Sequence, residues 1–588
     1  MLTFFVALIA AGVQTAQPPR SLLPAGNWTL VRPAEADARL ERGSPRGLPA
    51  GTAEPMKVTV LRPSEPFYLI MLTRTIAPDV PQGTRIRLTF WARSATRNPL
   101  RAVLEKATAP YTPVAEIFPT LQPEWKRYTV VGTTPGYGPD GLGVRFQMGH
   151  QAGEVDIAGV TVEDIGRDPA PQEVRRKLTP EAIRTRIEQH RMGELVVEVR
   201  DSRNRPVRGA TVKVEQQRHA FLFGCNIFEL RPEDSSPTQL EYQRRFKELL
   251  NFATLPFYWG SVEPTQGAPQ YARLEAMARW CRENGITPKG HPLIWHEVWP
   301  GWAPSDPDQT IPLLEARVRE IIPRFKDLIT IWDVLNECNN AATYVRTGQG
   351  QWVRRDGPAR VVETALRWAR EASKGIKTTL LYNDFNISDA NVELLRELQA
   401  RKALPDAIGI QSHMHGGTWP EEQIWTVAER FAQFGVPVHF TEATVISGPP
   451  RPVDFQSRAR DWHTTPEDEE RQARYVERFY TILFSHPKVH AITWWDFSDR
   501  AAWLGAPAGL LRADMSPKPA YDRLMKLIKG EWWTRAALTT NQQGAAKARV
   551  YYGTHRVEAS TPSGLRGSAT IEMPMGSGSR RVTVRIGR

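Results

Sequence analysis

The sequence predicts a multidomain α/β protein. Its centre is a (β/α)8 barrel, a TIM barrel, preceded by an all-β sandwich of jelly-roll type and accompanied by a small accessory β region. Three observations predict this. From His219 to about Gly530, eight short apolar runs alternate with amphipathic helical stretches. Before them, apolar and polar residues alternate in short segments separated by Pro- and Gly-rich turns. After Trp533 the pattern returns to short strands.

A chain of 588 residues is too long for one ordinary core, so two or three domains are expected. Residues 1–17 carry the apolar run LTFFVALIAAG, too short to span a bilayer, and read as a secretory signal peptide. A secreted or periplasmic protein follows. No other stretch is suited to crossing a membrane. In 20–165 the strands are explicit: Ile86, Leu88 and Phe90 alternate with Arg87, Thr89 and Trp91, and Val144, Phe146 and Met148 repeat the pattern. Residues 166–194 read as a linker, GRDPAPQE, and a helix over Thr179–Met192. Residues 195–218 read as a β-hairpin turning at Asn204–Arg205–Pro206.

The barrel, 219–530, is counted from the runs AFLFGCNI, FATLPF, ITPKGHPLIWH, ITIWDVLNE, TTLLYND, AIGIQSHMH, VPVHFTE and HAITWWDF. Residues 531–588 hold the strands ARVYYG, HRVEAS, SATIEM and RRVTVRI. Neither the hairpin nor these strands bury a core alone. The expectation is that they pair into one small β domain beside the barrel's N-terminal face.

The formal charge is +12, but the arginines are scattered through every region and form no block. A solvated basic surface is the reading, with no nucleic-acid partner, and a monomer is expected. The three cysteines, Cys225, Cys281 and Cys338, fit neither a disulfide framework nor a zinc site and read as buried thiols.

Active-site groups of such a barrel sit at the C-terminal ends of its strands. Those ends supply His291, Trp295 and His296 from the third run, then Asn336 and Glu337 from the fourth. The fifth supplies Asn383 and Asp384, the sixth Gln411 and His413, the seventh Glu442, and the eighth Trp495 and Asp496. Two glutamates among amides, imidazoles and indoles suit glycoside hydrolysis. That reaction needs an acid for the leaving oxygen and a carboxylate at the anomeric carbon. Amides and imidazoles bind hydroxyls, while indole faces pack on sugar rings. Each residue also has a plainer reading. Asp384 and Asp496 suit structural ion pairs, His415 and His439 suit loop or core positions, and Trp299 and Trp302 suit loop packing. No metal site is expected, since His291 and His296 lack a partner at zinc-like spacing. No nucleophile elbow supports a Ser–His–Asp triad.

With these residues in view, the chain resembles glycoside hydrolase family 10, chiefly endo-1,4-β-xylanases. The likeness runs over roughly His219–Leu527 through GHPLIWH, WDVLNE, YNDFN, IGIQSHMH, FTEATV, WWDFSDRAAW and LLRADMSPKPAY. The resemblance implies Glu337 as acid/base and Glu442 as nucleophile of a retaining mechanism without a cofactor. It implies sugar-binding roles for His291, Trp295, His296, Asn336, Gln411, His413, Trp495 and Trp503. The second-strand segment NFATLPFYWGSVEPTQG keeps Trp259. However, it has Tyr258 where the family has a Lys, and it lacks a Glu-Asn pair. Tyr258 and Trp259 are therefore assigned to a rebuilt distal sugar subsite. The partner expected is a xylan-like polysaccharide. The alternatives are a barrel β-glycanase of different specificity (decorated xylan, an oligosaccharide or another β-glycan) and a non-catalytic glycan-binding protein. RLTFWARS, Trp125–Tyr128 and EVDIAGVTVEDI make the sandwich similar to carbohydrate-binding modules of the family 4/9/22 type.

Overall fold

The computed structural model describes residues 20–23, 26–167, 171–449, 458–459 and 461–587. The expected signal peptide lies outside the described residues. The chain divides into two compact units, one built from most of the first 169 residues and the other centred on the barrel.

The first unit holds two antiparallel sheets. One runs in the order Ala38–Arg42, Met56–Val60, Gly153–Arg167, Thr84–Arg93 and Lys126–Thr133, with Arg20–Ser21 also on Gly153–Arg167. The other runs Thr29–Val31, Met71–Ile76, Leu142–Gln147, Arg101–Lys106 and Pro113–Ile117. Ile86, Leu88 and Phe90 from the first sheet and Val144 and Phe146 from the second share one core, as their period-two spacing requires. Tyr128, noted in the sequence for its likeness to glycan-binding modules, is a core residue stacked on Phe90 at 5.3 Å. Trp125 donates its indole N–H to the Arg46 carbonyl and lies under the Arg93 guanidinium.

The second unit contains a closed eight-stranded parallel barrel, as expected. Its strands are β1 (Leu222–Asn226), β2 (Phe252–Pro256), β3 (Thr287–His291), β4 (Ile331–Asn336), β5 (Thr379–Asp384), β6 (Ala407–Ile410), β7 (Val438–Val445) and β8 (Val489–Trp494). Pairing of β1 with β8 and of β6 with β7 leaves no edge among the eight. Every residue of β4 and β7 is buried, which is why these strands read as continuous runs. Three outer helices begin on a capping residue followed by proline. Ser236, Asp306 and Thr465 accept backbone N–H bonds at Pro237–Leu249, Pro307–Arg324 and Pro466–Ser485. On β3, a Cβ on Gly290 would lie 2.1 Å from the ring of Trp332. Only glycine there lets that fully buried indole of β4 pack against the neighbouring strand.

The 195–218 segment departs in part from expectation. The antiparallel turn expected at Asn204–Arg205–Pro206 is present, with Arg200 bridged to Pro206 and the Val207 N–H bonded to the Val199 carbonyl, but beyond it the strands Met192–Arg200 and Thr211–His219 part and enter different sheets. The first pairs with Ala545–Tyr551 and Ser579–Arg585; the second pairs with Arg535–Thr539 and Gly553–Ser560. Both strands have an apolar face, and each needs a C-terminal partner to complete a sheet around Leu195, Val197, Val212, Val557 and Val584. The segment after Thr211–His219 runs directly into β1. Arg218 bonds Thr287 at the start of β3, and the Asn251 amide before β2 donates to the His219 and Phe221 carbonyls. These contacts put the accessory strands at the N-terminal ends of the barrel strands. Arg191 closes the same end, donating to carbonyls of Phe484, His486 and Val489.

Candidate active site

The opposite ends of the strands converge. Glu337 follows β4 with φ of 55°, and Ser412, between Gln411 and His413, has φ of 57°. Such left-handed backbone costs a non-glycine residue on the order of 1–3 kcal/mol and is concentrated at functional sites. The Glu337 N–H is held by the Asn383 carbonyl at 2.9 Å, which fixes the turn.

Around the two glutamates a continuous amide network forms. Glu337 Oε1 accepts from Asn336 Nδ2 at 3.0 Å and from Gln411 Nε2 at 2.8 Å. Asn383 Nδ2 donates to Asn336 Oδ1 at 2.8 Å and to Glu442 Oε1 at 2.7 Å, while Thr441 Oγ1 donates to Asn383 Oδ1. Glu442 Oε2 lies 3.1 Å from His413 Nε2, and Glu442 Oε1 lies 3.9 Å from His291 Nε2. His291 is oriented from behind, its Nδ1 2.7 Å from Asp333, which also takes the buried Lys289 ammonium at 2.5 Å.

The two carboxyls titrate in opposite directions. Burial raises Glu337 well above the usual carboxylate range, and the charges of Glu297, Glu442 and Asp384 add to this, so its acid form is favoured. Burial alone would raise Glu442 too. The charges of His291 and Lys289 and the charge and bond of His413 overcome it and hold Glu442 below the usual value. One side of the mouth thus keeps a proton and the other keeps a negative charge.

Aromatic rings wall the pair. Trp495 lies 5.6 Å from His291 and 5.8 Å from His413, edge-on to both. Trp503, half-exposed, lies 4.9 Å from His413. Tyr258 is 5.4 Å from Trp295 and 5.8 Å from His291. A buried, polar-lined mouth with one acid, one carboxylate and flanking rings can carry out acid-assisted displacement at a sugar carbon.

The profile of Glycosyl hydrolase family 10 matches residues 217–527, more than half of the chain. The chain belongs to glycosyl hydrolase family 10. Among curated relatives, the anti-sigma-I factor RsgI6 of Acetivibrio thermocellus is 27% identical over 409 residues, covering 68% of this chain and 49% of its own. The chain thus spans about half the length of that relative. Endo-1,4-beta-xylanase B of Thermotoga neapolitana is 26% identical over 327 residues, covering 53% of this chain and 88% of its own. Among solved structures, xylanase 10B from Thermotoga petrophila RKU-1 in complex with xylobiose is 24% identical with a TM-score of 0.45, covering 53% of this chain and 95% of that one.

Within this family 10 barrel the structure brings together Glu337, Glu442, His291, Asn336, Gln411, His413, Trp495 and Trp503, with Tyr258 and Trp295 beside them. His296 joins at the other side of Glu337, its Nε2 3.8 Å from Oε2. Trp259 is placed elsewhere. It is 5% exposed, donates to Glu263 at 2.9 Å, and meets Trp299 and Trp302 edge-on at 5.0 and 5.3 Å. These contacts make it part of a loop-packing cluster. Sequence reasoning misses Thr441, Tyr344, Lys289, Asp333 and Glu297. Lys289 and Asp333 act through His291, and their period-two positions on β3 and β4 were the available signal. Glu297, whose Oε1 accepts from the Tyr344 hydroxyl at 2.5 Å, sits on an irregular loop that no periodicity marks.

Proposed function

We propose that this family 10 protein is a retaining β-glycanase that cleaves internal β-1,4 linkages of xylan or a related plant polysaccharide. One observation carries the reading: two carboxylates of opposite protonation preference, tied through Asn336, Asn383 and Gln411 into one bonded network. In the proposed cycle, Glu337 gives its proton to the leaving sugar's oxygen while Glu442 attacks the anomeric carbon. Glu337, now ionised, takes a proton from the water that frees the glycosyl-enzyme. The Asn383 amide and the His413 ring that hold Glu442 in place cost no reorganisation at that moment. The xylanase names of relatives support xylan as the substrate class. The sandwich is proposed as a glycan-binding module on the likeness of its sequence alone. The apolar N-terminus supports export.

The test is reducing-sugar release from linear xylan, arabinoxylan and a mixed β-glucan by the whole protein. Release from xylans that disappears in Glu337→Gln supports the reading. Release from β-glucan alone would replace xylan with another glycan. Glycan binding with no release from any substrate would make the barrel a non-catalytic glycan-binding protein instead.

A further inference from the structure

We propose that His296, Glu297 and Glu337 form a binding site for one divalent transition-metal ion, and that an ion held there stops hydrolysis by taking the acid/base carboxylate as a ligand. One ligand atom from each of the three lies within 4.8 Å of the others. The independent observation is His296. Its ring is 1% exposed, neither nitrogen has a hydrogen-bond partner, and Nε2 points at Glu337 Oε2 from 3.8 Å. A buried imidazole left this way carries a desolvation cost that a bound cation would relieve.

The other two ligands are already held from behind. Glu337 Oε1 is occupied by Asn336 and Gln411, which leaves Oε2 turned toward His296. Glu297 Oε1 is occupied by the Tyr344 hydroxyl, and the Tyr344 ring lies 3.9 Å from the His296 ring. Outer bonds of this kind fix the orientation of ligating side chains. A metal bonded at about 2.0–2.2 Å needs ligand atoms roughly 3.3–3.5 Å apart. Closing from within 4.8 Å takes about an ångström of movement, which falls to Glu297, the exposed member of the three. Binding displaces the Glu337 proton to solvent; the two carboxylates then neutralise a divalent ion, and the imidazole selects zinc, cobalt or nickel over calcium and magnesium. Sequence spacing hides the site, because Glu337 comes from the next strand of the barrel.

The site stands on geometry; the claim that it blocks hydrolysis rests on Glu337 being the acid/base. The test titrates Co²⁺ into the whole metal-free protein and follows visible absorption, then titrates Zn²⁺ by calorimetry. One ion per chain is expected, with affinity falling at least tenfold in Glu297→Gln. Absence of a protein-dependent cobalt band, or equal affinity in Glu297→Gln, would overturn the site. Zinc is expected to abolish xylan hydrolysis, with recovery on chelation. Full hydrolysis at saturating zinc would overturn the blocking role. A metal-free protein that hydrolyses no glycan would sink the functional reading while leaving the cobalt result intact.

Discussion

Asn383 donates both hydrogens of its amide, one to Glu442 Oε1 at 2.7 Å and one to Asn336 Oδ1 at 2.8 Å, so a β5 side chain positions the β7 carboxylate. The Thr441 hydroxyl fixes which end of the amide faces Glu442, since it donates to Asn383 Oδ1 at 2.6 Å. Asn383→Asp replaces two donors by a carboxylate beside another carboxylate. Removing one preorganised donor typically costs about 10²–10³ in kcat. A loss of at least that size in kcat/KM on xylan is expected, with the melting temperature showing whether folding is retained.

The pH profile follows from the two shifts. Glu442 must be ionised, so activity falls as pH drops through its lowered pKa. Glu337 must be protonated, so activity falls as pH rises through its raised pKa. His413→Ala removes a bond and a charge that favour ionised Glu442, and the acid limb should move to higher pH. Glu297→Gln removes a repelling charge, so Glu337 releases its proton more easily and the alkaline limb should move to lower pH. Profiles of kcat/KM against pH on a soluble substrate check both. Limbs that stay in place in both variants would contradict the assignment.

Gly290→Ala forces a methyl into the Trp332 ring from a backbone that has little room to move. Overpacking a close-packed interior costs typically about 1–3 kcal/mol. The midpoint of urea unfolding should fall accordingly, and because β3 carries His291 the catalytic rate should fall with it.

Tyr258 stands beside Trp295 and His291, where a lysine would donate charged hydrogen bonds to a sugar hydroxyl. Losing such bonds weakens a subsite by on the order of 1–3 kcal/mol. Stacking tolerates substituents better than directed hydrogen bonds do. Tyr258→Lys should therefore raise the ratio of kcat/KM on linear over decorated xylo-oligomers. An unchanged ratio would place Tyr258 away from the distal sugar.

The barrel was legible because each of its strands is buried on both faces and followed by an amphipathic helix, a pattern local in sequence. The strand ends then named Glu337, Glu442, Gln411 and His413 without any long-range information. What escaped depends on distance or on loops. Met192–Arg200 and Thr211–His219 lie close enough to read as a hairpin, yet their partners come more than 300 residues later, from Arg535 onward. Alternation identifies a strand but not its neighbour. Trp259 matched a sugar-binding position in sequence, but only packing shows its indole committed to Glu263 and two tryptophans. Glu297 and Tyr344 meet through two loops whose path no periodic pattern encodes.

The central claim is that Glu442 forms a covalent bond to the sugar while Glu337 manages the proton. The most direct measurement incubates Glu337→Ala with an aryl β-xyloside bearing a good leaving group, followed by peptide mass mapping. Such a leaving group needs little protonation, so the first step should proceed, while the second, lacking its base, should stall. The account predicts a burst of released phenol and a single pentosyl adduct on the peptide containing Glu442. Phenol release with no adduct, an adduct on another residue, or an inverted anomer as the first product of the unaltered enzyme would contradict it.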